Sequence, residues 1–307
     1  MLTTDQTMLF CIGAEKAGTS WLYTNLAAHS QCHMPVKEVH YFDTAVDTKR
    51  ATVVLRRYRD NLDRALAKNA EKEDKTKGRA KLSVMRDHLA LLQQSIGNSG
   101  DDTAYLTFLQ KGSEGKLLIG DITPNYAPLT QKEFARMVAL SPNSRFLFLM
   151  RDPIDRMWSA TRMSAEMREQ KLFGEKGKSA EEEFTKRCLK RLRATMKGEK
   201  LEEPRMSNYM LTLKELEAAV PQDKIMVMFF EDLFEQASFD AICNFLGIAP
   251  MPAQTETVKF PGRKLSIPPQ RFGGVYKWLS GQYEWAAERY GDKLPKRWRD
   301  QMALGQA

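Results

Sequence analysis

Residues 8–20 read MLFCIGAEKAGTS. Met8–Ile12 is short and apolar throughout, as a strand buried on both faces of a parallel sheet should be. It stops at Gly13; a second glycine, Gly18, follows, and then Thr19 and Ser20. A glycine loop between a strand and a helix start leaves backbone N–H groups free, and the helix dipole adds to their pull on an anion. The spacing comes close to the phosphate-cradling pattern G-x-x-x-x-G-K-[ST]. The lysine, however, is displaced: Thr19 holds its position, and Lys16 stands earlier in the loop. In the unmodified pattern that lysine reaches the β/γ-phosphates and the following hydroxyl holds Mg²⁺. By itself the stretch fits either a phosphate loop or an ordinary strand–turn–helix.

Working outward, the pattern alternates strand and helix. A helix is expected over Thr19–Ala28, and short strands over Cys32–Met34 and Lys116–Gly120. Another helix is expected over Gln131–Leu140, and the strongest strand, RFLFLM, covers Arg145–Met150. A helix then begins with Pro153 in its first turn. Helix Ser207–Ala219, strand Lys224–Phe229 and helix Ser238–Leu246 follow, and aromatic-rich helix closes the chain. This order predicts an α/β fold: a central, mostly parallel sheet flanked by helices. Residues 46–112 are charged and helical in period and read as a helical insertion. Their middle, Ala70–Lys81, is polar enough to predict an exposed loop or frayed turn. A second basic helical stretch is expected over 178–200.

The chain has 307 residues, 42% hydrophobic and 28% charged, which suits one globular domain over 1–307. The net charge of +8 favours anionic partners: nucleotides, sulfated or carboxylated substrates, nucleic acid or an anionic membrane surface. Cys11, Cys32, Cys188 and Cys243 are scattered, without the C-x-x-C pairs of a zinc site or the density of a disulfide framework. They read as thiols of a reducing compartment. No apolar stretch is long enough to span a bilayer, and the start of the chain carries no basic n-region. A cytoplasmic location is expected.

Two further stretches carry chemistry. In FLFLMRDPIDRMWSATRMS, Phe146–Ser164, Arg151 stands at a strand end beside a helix start, and Ser159 follows eight residues on. This is a second anion site, or an arginine paired with Asp152 or Asp155. In KEVHYFD, Lys37–Asp43, Glu38 and His40 alternate, so in an extended segment both point one way. A carboxylate beside an imidazole can act as a general base on a hydroxyl, or serve as a solvated or capping pair.

Three stretches, GAEKAGTSWLYTNL, KEVHYFD and FLFLMRDPIDRMWSATRMS, occur in the order seen in one family. The chain resembles the sulfotransferases that use 3′-phosphoadenosine 5′-phosphosulfate, and KEVHYFD is most similar to the heparan sulfate branch and its bacterial relatives. GDITPNY, Gly120–Tyr126, and DKIMVMFFEDL, Asp223–Leu233, also match. The resemblance implies a P-loop-like sulfotransferase fold and a set of roles. Lys16, Ala17, Gly18, Thr19, Ser20 and Trp21 would hold the 5′-phosphosulfate, with Lys16 at the bridging oxygen and the hydroxyls of Thr19 and Ser20 on the 5′-phosphate. Arg151 and Ser159 would hold the 3′-phosphate. Glu38 would be the catalytic base, assisted by His40. Arg263 and Lys264 of PGRKLS would close on the 3′-phosphate.

One departure stands out. Heparan sulfate enzymes usually carry a lysine just before TP, where this chain has Asp121 and Ile122; its absence points away from a heparan-like acceptor. The resemblance implies no metal, because the sulfuryl donor carries few charges to neutralise. The acceptor itself is not legible in the sequence; a carbohydrate or small molecule is expected rather than nucleic acid, with lipid, amine and protein tyrosine also open. Two other classes fit parts of the sequence: a P-loop kinase or nucleoside-triphosphate enzyme, and a polyanion-binding protein drawn by the basic charge.

Overall fold

The computed structural model describes residues 6–71, 76–98, 100–174, 179–198, 206–254 and 263–306. Among them lies one sheet of five strands: β1 (Thr7–Gly13), β2 (Cys32–His33), β3 (Leu118–Ile122), β4 (Ser144–Met150) and β5 (Ile225–Phe229). Their order is β2-β3-β1-β4-β5, and every neighbouring pair is parallel. The chain therefore has the α/β architecture read from its alternating pattern.

The strand quoted at the outset is the middle of the sheet. Residues Met8–Ile12 are at most 1% exposed. Phe10 lies opposite Asp121 on one side and Phe146 on the other, and its ring stacks on that of Phe146 at 5.1 Å. A strand covered on both faces needs apolar side chains in both directions, which is why this one is a continuous run. Because all strands run the same way, the ends of β1, β3, β4 and β5 open on one edge, where parallel sheets hold their ligands.

The flanking helices are α1 (Thr19–Ala28), α6 (Gln131–Ala139), α7 (Pro153–Phe173), α8 (Glu181–Met196), α9 (Tyr209–Glu217), α10 (Gln236–Leu246), α11 (Pro269–Tyr290) and α12 (Lys296–Gln306). Helix α7 starts as its sequence signals predict: Pro153 opens it, and Asp152 caps it by accepting from the Asp155 N–H. The other Asp152 oxygen accepts from the Tyr283 hydroxyl at 2.7 Å, which ties α11 to the start of α7.

Two boundaries move for physical reasons. Strand β3 runs on to Ile122, two residues past the apolar run. Asp121 can occupy a buried strand because Thr123, Tyr105 and Tyr126 all donate hydroxyls to its carboxylate, at 2.6, 2.9 and 2.9 Å. The region 46–112 is helical, as its period indicates: α2 (Tyr41–Val46) runs into it, followed by α3 (Thr48–Ala70), α4 (Thr76–Ser95) and α5 (Thr103–Gln110). The loop expected over Ala70–Lys81 is corrected: α3 reaches Ala70 and α4 has begun by Thr76, while residues 72–75 lie outside the described residues. Lys, Glu, Arg and Ala are strong helix formers, so a polar tract can sit on the solvent side of two helices without breaking either.

All four cysteines are free and buried. No described helix is long and apolar enough to cross a membrane.

Candidate functional site

The loop after β1 turns on two residues with positive φ, Lys16 at 68° and Gly18 at 93°. Gly18 is the N-cap of α1, and no side chain caps the helix there. The backbone N–H groups of Gly18, Thr19 and Ser20 find no acceptor among the described residues. Trp21 differs, because its backbone N–H is bonded to Gly18 and its indole N–H donates to the Gln254 carbonyl at 2.7 Å. Its ring packs edge-on against Phe234 and Phe239. Trp21 thus anchors α1, and Ala17 is likewise fully buried. The open donors are those of residues 18–20.

Two cations meet over this loop. Arg151, at the end of β4, donates from Nη1 to the Lys16 carbonyl at 3.1 Å, and its guanidinium lies 4.3 Å from the centre of the Phe230 ring. The Lys16 ammonium approaches the Met163 sulfur of α7 at 3.6 Å. Burial lowers the Lys16 ammonium from its ordinary range; Glu15 pulls the other way, while the Arg151 and Arg162 charges add to the lowering. Burial lowers Arg151 as well. Nearby carboxylates, Glu15 and Glu166 for Lys16 and Asp155 and Glu231 for Arg151, offset this only in part, and half-buried cations left below their ordinary range favour an anion beside them. Ser159, half-buried on α7, has a hydroxyl with no hydrogen bond among the described residues.

The second cluster forms beside the end of β3, where the Glu38 N–H donates to the Ile122 carbonyl at 3.2 Å. The alternation argument for Glu38 and His40 is corrected: neither is extended, with φ of 65° and 58°. Their side chains meet nonetheless, through a left-handed turn, with His40 Nε2 at 3.4 Å from a Glu38 oxygen. That separation is an ionic contact rather than an aligned hydrogen bond, and Nε2 has no hydrogen-bond partner among the described residues. The far side of the ring is held firmly. His40 Nδ1 lies 2.8 Å from Asp43, and Asp43 accepts from Arg50 Nε at 2.6 Å. Lys37 is 2.6 Å and Arg57 3.7 Å from Glu38, and the Tyr58 hydroxyl donates to the Glu38 carbonyl.

The electrostatics follow. Burial alone would raise the Glu38 carboxyl, but His40 and Lys37 outweigh it and hold it well below the usual carboxylate range. Burial alone would lower His40, but the Asp43 and Glu38 carboxylates outweigh it and raise the imidazole. At neutral pH the Glu38 carboxylate is ionised, and the two carboxylates around His40 favour its protonated form. Asp43, Arg50 and Arg57 went unnoticed in the sequence. The (i, i+3) spacing of His40 and Asp43 on the first turn of α2 was the one available signal.

Arg263 accepts at its carbonyl from Arg162, which acts on Lys16, while its side chain has other partners. Arg263 lies 3.6 Å from the fully buried Glu169, donates to the Ser179 carbonyl and stacks 4.7 Å over the Phe184 ring; Lys264 is exposed. Pro261 and Gly262 of the same motif lie outside the described residues. Asp121, conspicuous in sequence for standing where a lysine was expected, faces the core with its carboxylate occupied by three hydroxyls.

A family model described as "Sulfotransferase family" matches residues 9–252. Among solved structures, the chain is similar to a sulfotransferase from Alicyclobacillus acidocaldarius, with 18% identity, a TM-score of 0.56, and 97% of this chain and 100% of that one covered. That likeness bears on the fold. A sulfotransferase domain from the curacin biosynthetic pathway aligns at 18% identity and a TM-score of 0.46, over 98% of this chain and 98% of that one. The second alignment is too loose to argue from. No curated protein matches the chain.

Proposed function

The chain belongs to the sulfotransferase family, and from that premise we propose that it moves the sulfuryl group of 3′-phosphoadenosine 5′-phosphosulfate to an acceptor hydroxyl or amine. The reading takes 1–307 as one sulfotransferase domain, with 46–112 and 178–200 as additions. One observation carries it: the open N–H groups of residues 18–20, the Lys16 ammonium and Arg151 converge on the loop after β1. Such a set fits a phosphosulfate, with donors for the 5′-phosphate, a lysine for the bridging oxygen and an arginine for a second phosphate.

The donor supplies a sulfuryl group attached to a phosphate leaving group. The residues of this chain do the rest. Thr19 and Ser20 bind the 5′-phosphate, and Arg151 with the unbonded hydroxyl of Ser159 binds the 3′-phosphate. Lys16 stands earlier than in a triphosphate loop because negative charge builds on the oxygen between phosphorus and sulfur as that bond breaks, and a preorganised cation there stabilises the transition state. Glu38 takes the acceptor proton. His40 and Lys37 depress its basicity, so an acceptor that separates Lys37 from the carboxylate makes it a better base. His40, held by Asp43, keeps the carboxylate oriented.

Isothermal titration tests the reading. Adenosine 3′,5′-bisphosphate should bind without added metal, and more tightly than ATP–Mg²⁺. Binding of ATP–Mg²⁺ alone would overturn it in favour of a nucleoside-triphosphate enzyme.

A further inference from the structure

Helices α8 and α11 border a half-open hollow of about 280 Å³, to which no residue of the loop after β1 contributes. Leu189, Leu192, Met196 and Val275 line it, with Arg193, Lys197 and Arg271 around them. None of the residues assigned above to the donor or the acceptor proton takes part.

The charge around this cavity has one sign. Helix α8 carries no carboxylate after Glu183, and α11 none before Glu284. Arg193, Lys197 and Arg271 are exposed, and none of the three is in an ion pair among the described residues. Toward the start of α8 two cations are matched: Lys186 pairs with Glu182, and Arg187 with Glu183 and the buried Glu169. The contrast lies within one helix. Near its start Lys186 and Arg187 have carboxylate partners, whereas Arg193 near its end and Lys197 just after it border the apolar hollow without an ion pair among the described residues. The start of α11 contributes the positive end of its dipole on the same side.

The wall contains a glycine at a position where helix geometry does not call for one. A Cβ built on Gly274 would meet nothing within 4 Å. Gly in a helix interior costs stability relative to Ala, and here it leaves the hollow open.

We propose that this cavity binds an anionic amphiphile: a single alkyl chain lying among Leu189, Leu192, Met196 and Val275, with its carboxylate or sulfate head held by Arg193, Lys197 and Arg271. Apolar walls favour the chain through removal of its surface from water. Arginine binds carboxylate and sulfate oxygens by paired, charge-assisted hydrogen bonds. A neutral alcohol loses the second contribution, and a cationic amphiphile meets repulsion.

Titration calorimetry with the full chain tests this, using decanoate, decyl sulfate, decanol and decyltrimethylammonium below their critical micelle concentrations. Either anion should bind at least tenfold more tightly than decanol, and the tighter of the two identifies the head group; decyltrimethylammonium should not bind. Gly274→Leu fills the hollow from within and replaces a poor helix former, so its thermal midpoint should be kept or raised while anion binding is lost. Arg193→Gln combined with Arg271→Gln should weaken anion binding about tenfold and leave decanol unchanged. Equal affinity for decanoate and decyltrimethylammonium, or undiminished binding by a folded Gly274→Leu variant, overturns the proposal. Neither outcome depends on the sulfuryl donor, so the result is separate from that of the bisphosphate titration.

Discussion

Gly18→Ala probes the loop on which both the fold and the proposed activity turn. Gly18 has φ of 93°, and a Cβ there would lie 2.4 Å from Leu233 Cδ2 and 3.4 Å from Phe230 Cδ2. Three contributions follow. Holding an L-residue in the left-handed region costs about 1–2 kcal/mol. Forcing a methyl against the fully buried Leu233 costs about 1–3 kcal/mol. Replacing glycine stiffens the unfolded chain and returns roughly 0.4–1 kcal/mol. The net destabilisation is about 1–4.6 kcal/mol. Gly247 provides the internal control. It has φ of 69° with nothing within 4 Å of a built Cβ, so Gly247→Ala carries the strain without the clash and should cost roughly 0–1.5 kcal/mol. Urea unfolding of both variants measures the difference. Gly18→Ala should be the more destabilised by about 1–3 kcal/mol, and it should also bind adenosine 3′,5′-bisphosphate more weakly, because the N–H groups of residues 18–20 shift with the loop. Equal losses in the two variants would refute the close packing of Gly18 on Leu233. Unchanged bisphosphate affinity in a destabilised variant would refute the role of this backbone in anion binding.

Lys16→Ala should lower sulfuryl-transfer turnover by roughly 10²–10³-fold, the scale of losing one preorganised electrostatic group, while circular dichroism shows the fold intact; near-normal turnover would remove Lys16 from the transition state. Arg151→Ala should weaken bisphosphate binding by about tenfold or more, and calorimetry giving wild-type affinity would count against a 3′-phosphate contact. Asp121, pushed by burial from its ordinary 3.8 up to about 6 despite three hydroxyl donors, gives a pH prediction. Its raised folded value means that the native state holds the proton longer than the unfolded chain. Its contribution is therefore fully present below pH 3.8 and is lost as pH rises through about 6, a change of about 3 kcal/mol. Asp121→Asn should flatten stability over that window, and parallel stability–pH curves for the two proteins would contradict the assignment.

Legibility divides along the chain by distance. The loop 13–20 could be read because everything that shapes it lies within a few residues: an apolar run, two glycines and a helix start. The start of α7 was legible for the same reason, since proline and a capping aspartate act on their own neighbours. Glu38 and His40 were paired correctly by an argument that failed. Alternation assumed an extended chain, whereas the contact arises from two left-handed residues. Polarity misled from Thr76 onward, because a solvent-facing helix and a loop can share a composition.

The sequence by itself determined the alternation of elements, the central buried strand and the position of the lysine in its loop, because periodicity and turn chemistry are local forces. Only the tertiary structure decided which charges have partners. Arg263 is bound to Glu169, far off in the chain, while Arg151 is brought onto Lys16. Asp121 is turned inward to three hydroxyls, and Asp43 is set behind His40. The energy of a charge depends on what surrounds it within a few ångströms, and in a parallel sheet those surroundings come from strand ends that the crossover helices keep far apart in sequence.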